Sequence, residues 1–154
     1  MSWLDWTQAQ SDTGRELSRY LARLIALRRA HPSVRGARYG DAGQELVPGV
    51  AAISWFDAAG AQLDAPAWES EQERVMGLRR AARREDGGTD VTLLLMNPTH
   101  EPVSFALPEP ATAWIRELDS ATQAPSAPLS DAAVMVEPRS LVLLAAAQAP
   151  GDKP

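Results

Sequence analysis

Residues 13–30, TGRELSRYLARLIALRRA, form the one stretch of this chain with sustained helical periodicity, and the texture changes completely after Pro32. Leu17, Tyr20, Leu21, Leu24 and Leu27 recur at spacings of three and four, so an α-helix gathers them on one face. Thr13 and Glu16 have capping-box spacing at its start, while Arg28 and Arg29 suit the negative end of the helix dipole before His31 and Pro32 stop it. Downstream come short β-favouring runs at 50–56, 75–80, 91–96, 103–107, 113–118, 134–136 and 140–146, separated by Gly, Pro, Asn and Asp. Strands in that number with no helices between them cannot make a parallel sheet with crossovers. The pattern predicts a mainly β protein: an antiparallel β-sandwich preceded by one amphipathic α-helix.

Two connections are informative. NPTHEP (97–102) is a turn rich in Asn and Pro, and AARREDGGTD (81–90) reads as a longer polar loop; both suggest hairpins. The Pro-rich stretch 121–131 reads as a loose surface loop and residues 148–154 as a disordered tail. A chain of 154 residues has room for one sizeable core or a compact domain with a small appendage.

Charge is unevenly placed. The net value of −5 divides into +4 over residues 1–40 and −9 over the remainder. An acidic chain is repelled by phosphate backbones, and the basic stripe Arg15, Arg19, Arg23 is better read as a solvated helix face than as a phosphate site. RRAARR (79–84) is followed at once by Glu85 and Asp86, which favours a charged hairpin loop over a nucleic-acid patch. The absence of cysteine excludes disulfides and thiolate chemistry and fits a reducing compartment. The longest apolar runs fall far short of a bilayer span. These features predict a soluble cytoplasmic protein with no nucleic-acid or membrane partner.

The search for chemistry finds little. Glycoside hydrolysis requires two carboxyl groups converging across a cleft. Asp57, Asp64, Glu69, Glu71 and Asp119 are candidates, but they lie in or beside turns and their spacing makes no two converge. Two histidines, His31 and His100, are too few for a metal cluster or a triad when cysteine is also absent, and His31 reads as a helix-end residue facing free carbonyls. No Gly-rich phosphate loop is present, so nothing calls for a cofactor or a metal. Five tryptophans remain: Trp55 and Trp114 sit in strands and read as core, whereas Trp3, Trp6 and Trp68 lie outside them and are candidate sugar platforms.

Taken in order, SWLDW, the helix ending LIALRRAHP, ISWFDAAGAQLDAPAW, LLLMNPTHEPVSFALP, Trp114 with LDSA, and PRSLVLL resemble the C-terminal end of bacterial glycogen debranching enzymes of the isoamylase type, in the α-amylase superfamily of glycoside hydrolases. The resemblance implies a parent with a catalytic (β/α)₈ barrel followed by an antiparallel sandwich. Residues 1–35 would then be a remnant of the barrel, comprising its last loop and helix, and residues 36–147 the C-terminal sandwich domain. It also implies α-1,6-glucosidase activity on glycogen or limit dextrin for the parent, whose catalytic carboxylates match no position here. The expected role is therefore structural, with the missing barrel as partner and α-glucan reached through it; Trp3, Asp5, Trp6 and Trp68 are the expected glucan-contacting residues. The alternatives are a stand-alone carbohydrate-binding module and a non-catalytic interaction subunit.

Overall fold

The computed structural model describes residues 5–35, 44–70, 74–122 and 124–147; the expected 148–154 tail lies outside them. Three helices come first: α1 (Trp6–Ala9), α2 (Asp12–Ala30) and α3 (Pro32–Arg35). The cap of α2 is Ser11, whose Oγ accepts the Gly14 N–H at 3.1 Å, so Thr13 and Glu16 fall inside the helix and make no capping box. Position 14 has to be glycine here, because a Cβ would stand 2.2 Å from the Gln8 carbonyl oxygen where α1 folds against α2. Pro32 ends α2 but also opens α3, since its missing N–H costs nothing at a helix start.

The β region comprises β1 (Glu45–Val47), β2 (Val50–Ala51), β3 (Ile53–Phe56), a short helix α4 (Ala65–Glu69), β4 (Met76–Arg83), β5 (Thr89–Asn97), β6 (Val103–Ala106), β7 (Trp114–Asp119), β8 (Ala127–Pro128), β9 (Ala133–Val136) and β10 (Ser140–Ala146). Six strands form one antiparallel sheet in the order β3-β4-β5-β10-β7-β8. The pair β6-β9 lies across the core from it, and the pair β1-β2 lies beside β4, where the Ala81 N–H donates to the Ala52 carbonyl at 3.0 Å. Alternation along the strands sends Phe56, Leu93, Leu95, Val142 and Leu144 inward, where they form one core with Phe105, Val134, Val136 and Val50. Each such side chain contributes roughly 1.5–3 kcal/mol when fully buried, which makes the sandwich the stable part of the molecule.

Several connections differ from the sequence reading. The run at 50–56 breaks at Ala52 into β2 and β3, which pair with different strands. Residues 81–83 and 89–90 are strand, so the long polar loop shrinks to a turn closed by the Arg84 N–H donating to the Gly88 carbonyl at 2.8 Å. That connection is a hairpin, as expected, but NPTHEP is not: β6 leaves the large sheet to pair with β9. Asn97 makes the crossing possible. Its buried amide donates to the carbonyls of Glu101, Val136 and Glu137 at 2.8, 3.0 and 3.1 Å, while its Oδ1 accepts from Thr99. Part of the Pro-rich stretch is ordered as well, with Pro128 in the edge strand β8, where the missing N–H breaks no ladder.

Candidate functional site

The helices are fastened to the sheet by a buried polar cluster that no local pattern announces. Asp90, at the start of β5, is 1% exposed. Its Oδ1 lies 2.9 Å from His31 Nδ1 and accepts from Arg84 Nη2 at 3.3 Å, and its Oδ2 accepts the Ser33 N–H at 3.0 Å. Ser33 Oγ and Thr92 Oγ1, 2.8 Å apart, share a hydrogen bond beside it. Burial pushes the Asp90 carboxyl up, but hydrogen bonds from His31 and Ser33 and the nearby His31 ring outweigh burial and hold it at about 2. His31 does cap α2 through its backbone, yet its ring serves Asp90 and not the free carbonyls. A second tie comes from Arg23, whose Nη2 donates to the carbonyls of Glu117 at 2.7 Å and Ala124 at 2.9 Å. Arg23 therefore leaves the solvated stripe that Arg15 and Arg19 keep.

These ties decide which side of α2 faces the sandwich. Tyr20, Leu24 and Leu27 are half-buried. Leu17, Leu21 and Ile25 are 57%, 48% and 51% exposed. With 3.6 residues per turn, this second stripe lies about 90° round the helix from the first. The helix thus has two adjacent apolar sides and covers only one of them.

The residues expected to contact glucan meet different fates. Trp3 lies outside the described residues. Asp5 caps α1, its Oδ1 accepting the Thr7 and Gln8 N–H groups at 2.9 and 3.3 Å. Trp6 is well exposed on α1. Trp68, on α4, is half in solvent and meets Trp55 edge-on, with ring centroids 5.4 Å apart. Trp114 is in the core as expected, but Trp55 lies on the outer face of the large sheet.

The carboxylates are engaged locally. Asp57 accepts the Ala61 N–H, Asp64 caps α4, and Asp119 accepts the N–H groups of Ala121 and Thr122. Glu71 lies outside the described residues. Nor do the arginines at 79–84 act as one patch. Arg79 is buried on the core side, its guanidinium 4.8 Å over the Phe56 ring and donating to the carbonyls of Glu109 and Gly49. Burial lowers its pKa. Arg83 donates to Thr89 and to the Leu46 carbonyl, and Arg84 joins Asp90. Among the described residues no three His, Asp or Glu side chains gather as a metal ion would require, and no helix is long and apolar enough to cross a membrane.

The sequence model of the family described as "Isoamylase, C-terminal" matches residues 52–145, which takes in the six-stranded sheet and the β6-β9 layer. The chain belongs to this family. Among curated proteins, an isoamylase from a Flavobacterium species is 28% identical over 123 residues. The aligned part covers 79% of this chain and 16% of that isoamylase's length. The isoamylase C-terminal family thus accounts for the sandwich, while most of the relative's length lies elsewhere.

Proposed function

We propose that this chain works as the C-terminal domain of an isoamylase-type debranching enzyme, a cytoplasmic glycosidase that hydrolyses the α-1,6 branches of glycogen or limit dextrin. Residues 1–35 belong with its (β/α)₈ barrel and residues 36–147 form the sandwich that covers one side of it. The domain contributes structure and no catalytic group. What carries this reading is α2, tied to the sandwich along one side while Leu17, Leu21 and Ile25 stand in solvent along the next. A helix with two apolar sides belongs between two bodies. The local engagement of Asp57, Asp64 and Asp119 supports the structural role, because a glycosidase needs two carboxyl groups free to face one substrate.

A second reading is favoured by the exposed indoles of Trp6 and Trp68: a carbohydrate-binding module that holds glucan on flat aromatic faces. Two measurements on the chain alone separate the readings. With glycogen it should release no reducing ends, and with maltodextrin at millimolar concentration its tryptophan fluorescence should not change. Cleavage would refute the structural role outright. A saturable fluorescence change abolished by Trp68→Ala would establish the binding module instead.

A further inference from the structure

A strand at the rim of a sheet offers unpaired N–H and C=O groups to any extended chain, and folded proteins cover or blunt such rims. In the large sheet the β3 rim is covered by the chain that follows it, with the Leu63 N–H donating to the Trp55 carbonyl at 2.9 Å and Gln62 bridging to Phe56. The β8 rim is two residues long and carries Pro128. In the smaller layer β6 is met by the turn after β3, where the Ala106 N–H donates to the Ala58 carbonyl at 2.9 Å. The far side of β9 has no such cover among the described residues.

Register shows which of its groups are left over. The Leu107 N–H donates to the Ala132 carbonyl, so every second pair beyond it, Phe105 with Val134 and Val103 with Val136, exchanges the hydrogen bonds that join β6 to β9. The N–H and C=O groups of Ala133 and Met135 therefore point away from β6, and among the described residues they have no partner. Met135 is 57% exposed and Ala133 is exposed beside it, whereas Val134 and Val136 are buried in the core. No charge interrupts residues 132–136. The charges stand at the two ends: Asp131 before the strand and Glu137 after it are exposed, and neither carboxylate has an ion pair or hydrogen bond among the described residues. Arg139, the nearest cation along the chain, is turned to His100 Nδ1 at 2.9 Å.

We propose that the free edge of β9 is a binding site for an extended segment of another polypeptide, added as an antiparallel strand, with an apolar, β-branched centre and Lys or Arg at both ends. The backbone groups of Ala133 and Met135 hold the segment, and alternate side chains select it. Those beside Val134 and Val136 continue the core face and are apolar. Those on the Met135 face meet a carboxylate at each end, and because Asp131 and Glu137 lie six positions apart, roughly 20 Å along a strand, cations at that spacing pair with both. A second copy of this chain is a poor occupant. Pairing Ala133 with Met135 of the copy sets the Asp131 of each chain opposite the Glu137 of the other, and like charges directly opposite weaken a strand pair. The site does not depend on what α2 packs against.

The probe is the capped heptapeptide KVTVTVK, titrated into the isotopically labelled 154-residue chain and followed by amide NMR. Saturable shifts should be confined to residues 131–137 and their neighbours, with half-saturation below about 1 mM. The peptide EVTVTVE should bind about ten-fold more weakly, and Asp131→Lys with Glu137→Lys should reverse that preference. Methylating the backbone nitrogens of the two threonines, which face β9, should abolish binding; methylating that of the central valine, which faces away, should leave it intact. The proposal is overturned if KVTVTVK leaves residues 131–137 unmoved at 1 mM, if the acidic peptide binds equally well, or if both methylated peptides behave alike. Concentration-dependent shifts of the same residues in the chain alone would overturn it too, by making a second copy the occupant.

Discussion

Replacing Asp90 by Asn should weaken the fold by an amount that disappears in acid. The carboxyl is held at about 2 in the folded chain against its usual 3.8, so its ionised form favours folding by about 2 kcal/mol. Because the folded value is the lower one, this stability is fully present above 3.8 and is lost as the pH falls through about 2. Asn keeps the shape but lacks the charge that His31 and Arg84 face, and it turns a donor toward one of three donors. The expected cost at neutral pH is about 2–4 kcal/mol. Urea unfolding followed by tryptophan fluorescence measures it, and running wild type and Asp90→Asn in parallel removes the contribution of every other carboxylate. The gap between them should still be present at pH 5 and should close as Asp90 protonates. A gap below about 0.5 kcal/mol at neutral pH, or one that persists unchanged at pH 2, refutes the reasoning.

Three further outcomes follow from the packing. Asn97→Ala removes three donated hydrogen bonds and leaves the Val136 carbonyl without its partner, so urea unfolding should show a loss of about 2–4 kcal/mol. Phe105→Ala should cost about 3–5 kcal/mol, whereas Leu21→Ser on the exposed side of α2 should change the isolated chain by no more than about 0.5 kcal/mol in the same assay. Gly14→Ala should drive α1 away from α2, read as faster proteolytic cleavage near residue 10 than in wild type, because its Cβ has no room beside the Gln8 carbonyl.

The helix and the sandwich are legible because they rest on local periodicity, and the strands expected at 91–96 and 140–146 lie within a few residues of the bounds of β5 and β10. Features made by distant residues were not. Asp90 sits in what reads as a polar loop, and its partners His31 and Ser33 are 59 and 57 residues away. The helical pattern showed that Tyr20 and Leu21 are both apolar but could not show that one meets the sandwich and the other solvent. Asn97 looked like a turn residue, since nothing local distinguishes a hairpin from a crossing to another sheet. One missed feature did leave a trace. VTLLLM and LVLLAA are continuous apolar runs, whereas a strand with one solvated face alternates. Their lack of alternation was already a sign that both faces of the large sheet seek cover.

Hydrogen exchange along α2 tests the central claim most directly. If the helix evolved to lie between the sandwich and the remainder of an isoamylase, the amides of residues 15–28 should exchange readily in the isolated chain. In a chimera in which this chain replaces the aligned segment of the Flavobacterium isoamylase, they should become strongly protected. Equal protection in both proteins would mean that the sandwich alone gives α2 all the contacts it needs, and the account would be wrong.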